Sequence, residues 1–364
     1  MRTTSRFAGL LAAMLMVVLA FSLAPSHPAS AATSAAHRDA SLRQLASRLG
    51  IRVGSAVSLS PLSNDAAYAQ ILGQQFSAIT PENEMKWDTV EPQQGVFNFA
   101  PGDTEVKFAQ QHGQLVRGHN LVWHSQLPSW LTGGSFTNEQ LADILKQHIF
   151  AEAGHYRGKI WQWDVVNEPL NEDGSLRSTI WSNALGPDYI ADALRWAHQA
   201  DPHAKLFLND FNIEGIGPKS DAMFALVKSL KEQHVPIDGV GFETHLGLQF
   251  GFPSMFKENL QRFADLGLDV SITEIDVRMI LPVTPELLAA QADVYTQVMQ
   301  DCIAVRRCVD FTIWEYTDKY SWIPGFFTGQ GAADIYDENL VPKPANAALL
   351  DALQHPVSHQ HHNG

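Results

Sequence analysis

The chain has 364 residues, 45% of them hydrophobic and 18% charged, against about 25% charged in an average soluble chain. That composition excludes a disordered, solvating polypeptide, and a net charge of −14 argues against nucleic acid or acidic membranes as partners. Length alone allows two domains of about 150 residues or one α/β barrel of about 250 or more.

Residues 1–31 read as a secretory signal peptide. Arg2 and Arg6 open it, residues 7–24 carry no charge, and Pro25, Pro28 and Ala29-Ser30-Ala31 supply a small-residue cleavage pattern. The alternative is an uncleaved anchor, since the apolar run approaches the lower limit for spanning a bilayer. The prolines and small residues favour cleavage, so a secreted, extracellular protein without a membrane segment is expected. Residues 32–40, mostly Ala, Ser and Thr, form a short linker. Residues 41–354 form one domain, expected to act as a monomer. Residues 355–364, with His355, His359, His361 and His362, form a disordered His-rich tail.

Within the domain, eight short apolar runs rich in β-formers recur, at 51–57, 76–80, 115–123, 160–166, 205–208, 239–242, 269–273 and 309–314. Amphipathic stretches such as 141–153, 189–199, 222–233 and 285–300 lie between them. This alternation predicts repeated βα units, and the near-continuous apolar character of several runs suits parallel strands covered on both faces. Eight units in one domain predict a single (β/α)8 barrel of the α/β class. Neither G-x-G-x-x-G nor G-x-x-x-x-G-K-[ST] occurs, so neither familiar nucleotide site is supported.

Polar and aromatic residues gather at the C-terminal ends of the predicted strands, the rim on which such a barrel places its chemistry. In chain order they are Glu82, Asn83 and Lys86; His119, Trp123 and His124; Asn167 and Glu168; Asn209, Asp210 and Asn212. Glu243 and His245, Glu274 and Asp276, and finally Trp314 and Trp322 follow. A strand-end Glu taken singly reads as a helix cap or a partner for Lys. Glu168 and Glu274 taken together read as a pair flanking a glycosidic bond, one donating a proton to the leaving oxygen and the other attacking the anomeric carbon. That division requires one carboxyl protonated and the other ionised.

Sugars account for the aromatics, because a pyranose has an apolar face that stacks on indole and a rim of hydroxyls that seeks amides, imidazoles and carboxylates. Trp161, Trp181 and Trp196 are assigned to core packing, and Trp123, Trp314 and Trp322 to sugar platforms. His119 and His245 read as core histidines, or as ligands of a metal with Glu82 or Glu274. No His pair lies at i, i+4 on a predicted helix and no H-E-x-x-H occurs, so no metal or other cofactor is expected. Cys302 and Cys308, close in sequence in a protein read as exported, suggest a disulfide closing a local loop; zinc is the competing reading, without a Cys-x-x-Cys pair to support it.

Six motifs resemble those of the family 10 glycoside hydrolases, best known as secreted endo-β-1,4-xylanases. They are Thr80-Pro-Glu-Asn-Glu-Met-Lys-Trp87, Arg117-Gly-His-Asn-Leu-Val-Trp-His-Ser-Gln126, Trp163-Asp-Val-Val-Asn-Glu168, Leu208-Asn-Asp-Phe-Asn-Ile-Glu214, Thr273-Glu-Ile-Asp276 and Asp318-Lys-Tyr-Ser-Trp322. The resemblance implies a retaining double displacement on xylan, with Glu168 as acid/base, Glu274 as nucleophile and their carboxyls about 5 to 5.5 Å apart. It also implies that Asn167 binds the 2-hydroxyl of the sugar at the cleavage point and that His119 and Trp314 hold the same sugar. Glu82, Asn83 and Lys86 would grip the next sugar, Trp322 would lie over the cleft, and His245 and Asp276 would orient Glu274. Trp123 and Glu243 join the sugar-binding set, His124 and Asp164 the supporting one. A local disulfide before the last barrel strand fits Cys302 and Cys308.

The sequence departs from the family pattern at Glu243, where Gln is usual, at Glu315, where Gly is usual, and at Phe211, where Tyr is common. Glu243 and Glu315 motivate an alternative to xylan, another β-glycoside such as a tomatine-like saponin or a β-glucan; a silent carbohydrate-binding protein is a third reading, against which the retention of both Glu168 and Glu274 argues.

Overall fold

Each of the eight apolar runs forms a strand in the computed structural model, which describes residues 40–356. The strands are β1 (Arg52–Val57), β2 (Ala78–Pro81), β3 (Leu115–Val122), β4 (Gln162–Asn167), β5 (Lys205–Asp210), β6 (Gly239–Phe242), β8 (Asp269–Ile280) and β9 (Cys308–Ile313). Two further short strands are β7 (His245–Gly247) and β10 (Gln330–Gly331). The signal peptide at 1–31, the linker apart from Ala40 and the tail beyond Pro356 lie outside the described residues. His355 extends the last helix by one cap position, its ring 3.0 Å from Asp351 four residues back.

Neighbouring barrel strands pair in parallel, and β1 pairs with β9, which pairs with β8, so the sheet closes. Helices pack outside it, their apolar faces joined to the outward faces of the strands in one core. Local chemistry sets where they begin. The helix Asn138–His155 starts three residues before the predicted stretch because Thr137 and Gln140 form a reciprocal capping box. Pro218 opens the helix Pro218–Glu232 four residues early, its missing N–H being harmless in a first turn.

The largest departure from the expected elements is β8. The run 269–273 predicts a strand ending at Glu274, but β8 continues to Ile280, because β7 pairs with it in parallel and β10 antiparallel. Glu274 therefore sits inside a strand. The register of β8 on β9 also slips between Ile272 and Ile275, the bulge type of irregularity that re-aims side chains at barrel rims. Similar slips occur between His119 and Val122 on β3 and between Asp164 and Val166 on β4.

The barrel axis is not wholly apolar. Fully buried Arg117 donates through Nη2 to both oxygens of buried Asp164 at 2.7 and 2.8 Å, and its Nε lies 3.6 Å from Asp310. Asp164 also holds His119 Nδ1 at 2.9 Å, so the pair links the barrel floor to the rim. Removing one partner of such a pair leaves an uncompensated buried charge. Arg117→Leu is expected to lower stability by about 3–5 kcal/mol, read as a shift of the chemical denaturation midpoint. A change below about 1 kcal/mol would mean that Asp164 and Asp310 find other compensation.

Cys302 and Cys308 form a disulfide with Cα atoms 5.3 Å apart, tying the last turn of the helix Pro285–Ala304 to the first residue of β9.

Candidate active site

Most residues singled out on the rim gather about Glu168 and Glu274, but Asn212 is exposed and donates to Glu172 Oε2 at 3.1 Å. Asn167 ends β4, and Glu168 follows with φ of +52°, a left-handed conformation uncommon for a residue with a side chain. Its backbone is pinned on both sides: the N–H donates to Asn209 O at 2.8 Å, and its carbonyl accepts from Arg177 Nε at 2.8 Å. The Glu168 side chain is 15% exposed and Oε2 lies 3.8 Å from His124 Nε2. Burial raises the Glu168 carboxyl above its ordinary range, and the nearby Glu274 charge adds to this. Burial, with Arg177, lowers His124 to about 4, leaving a neutral ring beside Glu168 near neutral pH.

Glu274 comes from β8, with β5 and β6 between it and β4. Its Oε1 accepts from Asn209 Nδ2 at 2.8 Å, and its Oε2 lies 3.3 Å from His245 Nε2. Burial pushes this carboxyl up, but His119, His245 and Arg117 outweigh it and hold Glu274 at about 2. His245 in turn has Nδ1 2.7 Å from Asp276 Oδ2. Burial opposes its charge, yet Asp276 and Glu274 raise it to about 10, so the ring is a cation clamped between two carboxylates. Two buried carboxyls in one cleft are thus driven apart in acidity, Glu168 upward and Glu274 downward.

Aromatic groups surround this pair. Lys86, buried, lies 4.9 Å from the Trp123 ring and 5.8 Å from the Trp314 ring, with burial lowering its pKa. Trp314 meets His119 edge-on at 5.1 Å, and Trp322 meets His245 at 5.1 Å while donating from Nε1 to Asp276 at 3.0 Å. Asn83 Oδ1 accepts from Gln126 Nε2, and Glu82 Oε2 from Ser58 Oγ. These partners fix the polar side chains before any sugar arrives.

Sequence reasoning missed several contributors. Asn209 was visible as a rim polar residue, but not as the amide that joins Asn167 to Glu274. Arg117 carried a signal, a charge inside an apolar strand. Gln126 and Thr273 lay inside two of the six motifs without a role of their own, and Ser58 and Arg177 gave no signal. Gly241 earns its place here too: a Cβ there would come within 2.1 Å of Asn209 Oδ1.

Other residues sit differently from their expected places. Trp181 is core, as predicted, stacked on Trp87, and its Nε1 donates to Trp123 O. Trp196, half-buried, packs against the core as assigned, whereas Trp161 is half-buried and stands outside that cluster, so its assignment to core packing is corrected. Glu315 does not meet a sugar: it is 1% exposed, accepts from Tyr68 Oη at 3.0 Å and from the Tyr316 N–H, and adopts φ of +66°. Phe211 forms a face for the Lys219 ammonium, 3.5 Å from its ring centre.

Two triads, His119, Asp164 and Glu274, and Glu243, His245 and Glu274, bring candidate ligand atoms within 4.8 Å of one another. In the first, Asp164 already carries Arg117 and His119; in the second, His245 bonds Glu274. A separate cavity of about 500 Å3 lies on the outer wall between Phe252–Glu258 and the helix Pro285–Ala304, and none of the predicted site residues lines it.

A closed (β/α)8 barrel whose rim presents a carboxyl pair shifted in opposite directions, framed by indoles and amides, defines a glycoside hydrolase. The chain belongs to glycosyl hydrolase family 10, whose family model matches residues 41–352. It is 50% identical over 312 residues to an endo-1,4-beta-xylanase of Agaricus bisporus, covering 85% of this chain and 93% of that protein. Endo-1,4-beta-xylanase B of Thermotoga neapolitana is 42% identical, covering 87% and 92%. Among solved structures, xylanase 10B of Thermotoga petrophila in complex with xylobiose aligns with a TM-score of 0.85 at 41% identity, covering 87% of this chain and 98% of that one.

Proposed function

We propose that this protein is a secreted, retaining endo-β-1,4-xylanase. The observation that carries the mechanism is the opposed acidity of Glu168 and Glu274 in one cleft. In the first step Glu274 attacks the anomeric carbon, while Glu168 gives its proton to the glycosidic oxygen; the glycosidic bond breaks and a glycosyl ester with Glu274 forms. In the second, Glu168, now ionised, takes a proton from water as the water attacks the same carbon and releases Glu274. Two displacements on one carbon return its original configuration.

Asn167 is suited to the 2-hydroxyl, and His119 and Trp314 to the same sugar. Glu82, Asn83 and Lys86 are suited to the next sugar, and Trp322 covers the cleft. His245 and Asp276 orient Glu274, and His124 and Asp164 support the arrangement. The xylan preference rests on the relatives: those named above are xylanases, and one is bound to xylobiose, which gives no support to the saponin, β-glucan or binding-protein alternatives. Secretion rests on residues 1–31. A glycan panel with product sizing tests the substrate: xylan should release a ladder of xylo-oligosaccharides, and no release from xylan beside turnover of another β-glycan would overturn the assignment. Proton NMR of the first product should show the β-anomer.

A further inference from the structure

Asn209 brings three acceptors to two hydrogens. Its Oδ1 accepts from the Thr273 hydroxyl at 2.7 Å, which points its amino group to the cleft. Nδ2 then lies 2.8 Å from Asn167 Oδ1, 2.8 Å from Glu274 Oε1 and 3.2 Å from Glu243 Oε1. An amide NH2 carries two hydrogens, and the two short contacts use both. Glu243 Oε1 has the longest contact and at best a share. Turning the amide round would set its oxygen against the same three oxygens.

The second Glu243 oxygen fares no better. Oε2 lies 3.7 Å from His245 Nε2, beyond hydrogen-bond distance, and that nitrogen is nearer to Glu274 Oε2, at 3.3 Å. The other ring nitrogen of His245 is held by Asp276. Glu243 is 2% exposed and faces Glu274 on β8, Glu168 after β4, Asp210 on β5 and Glu214 beyond it; His245 is the cation beside it. An ionised Glu243 would therefore be a buried carboxylate with one shared hydrogen among four other acidic groups, an arrangement that costs more than carrying a proton. Burial, followed by the charge of Glu274, pushes its carboxyl well above the ordinary range, in agreement with the hydrogen-bond geometry.

We propose that Glu243 works as a neutral carboxylic acid, donating a hydrogen bond from Oε2 to a sugar hydroxyl at the nucleophile and imposing its own alkaline limit on catalysis. The inference rests on the glycosidase reading of the cleft. A ligand nitrogen of His245 and carboxyl oxygens of Glu243 and Glu274 lie within 4.8 Å of one another, so one hydroxyl can meet all three. Giving its hydrogen to ionised Glu274, that hydroxyl needs a donor for its lone pairs. Protonated Glu243 is a donor, while ionised Glu243 is a further acceptor and a like charge beside the attacking oxygen.

Glu168 has an alkaline limit of its own, so the test removes it. Glu168→Ala is assayed on a dinitrophenyl β-xylobioside, whose leaving group needs no proton, so that kcat/KM reports attack by Glu274 alone. This variant is expected to retain an alkaline fall approaching tenfold per pH unit. Glu168→Ala/Glu243→Gln, which keeps a donor that cannot ionise, is expected to be flat over the part of that range below about pH 10, where His245 titrates, and within a few-fold below it. A fall that persists in the double variant, or is missing from the single one, overturns the proposal. Infrared difference spectra of unliganded wild type against Glu243→Gln should contain the carbonyl band of an un-ionised carboxyl at neutral pH; a carboxylate band there also overturns it. That reading involves no substrate, so it separates failure of this inference from failure of the xylanase assignment.

Discussion

Glu274→Ala is expected to lower kcat on xylan by a factor on the order of 10^5 or more, as loss of a nucleophile does when the rest of the site remains. The side chain is held by Asn209 and His245, so its removal leaves a space lined by their donors. A small anion such as azide that enters this space is expected to restore cleavage of an activated aryl xylobioside and to yield a glycosyl azide of inverted configuration. One displacement then takes the place of two. Hydrolysis surviving intact in this variant would remove Glu274 from the nucleophile role, and an azide product of retained configuration would do the same.

Glu168→Ala divides its effect by leaving group. On xylan, whose departing alkoxide is a strong base, the loss of the proton donor is expected to cost about 10^2- to 10^4-fold in kcat/KM. On a dinitrophenyl xylobioside the change should be within about tenfold, because the phenolate departs without help. Equal losses on both substrates would assign Glu168 another role. The wild-type pH profile follows from the same pair. Glu274, held at about 2, is ionised through the working range and loses activity only as it gains a proton on the acid side. Glu168, raised by burial, loses activity as it gives up its proton on the alkaline side. The proposed mechanism requires the singly protonated pair, so on xylan its upper limit should move when Glu168 is replaced.

The site tolerates only certain geometries because its members come from different strands. Asn209 on β5 joins Asn167 on β4 to Glu274 on β8, and Gly241 on β6 leaves room for that amide. Arg117 on β3 anchors Asp164 on β4, which holds His119. A change at Asn209 acts on Glu274 directly, whereas one at Gly241, Arg117 or Asp164 acts on it through another side chain.

Much of this was legible in the sequence, for reasons that are local. An apolar run of β-forming residues makes a strand wherever it lies, and eight such runs alternating with amphipathic stretches leave a closed parallel barrel as the economical way to bury them. The polar residues that interrupt the ends of those runs mark the rim, which is why Glu168, Glu274, His119, His245, Trp123, Trp314 and Trp322 could be placed there beforehand. Only the tertiary structure decided how far β8 extends, since that depends on pairing with β7 and β10, and that Glu315 turns to Tyr68. It also decided which way the acidity of each carboxyl is shifted. Whether Glu243, Glu168 or Glu274 carries a proton depends on burial and on neighbours delivered by β4, β5 and β8, and no spacing along the chain encodes those distances until the barrel closes.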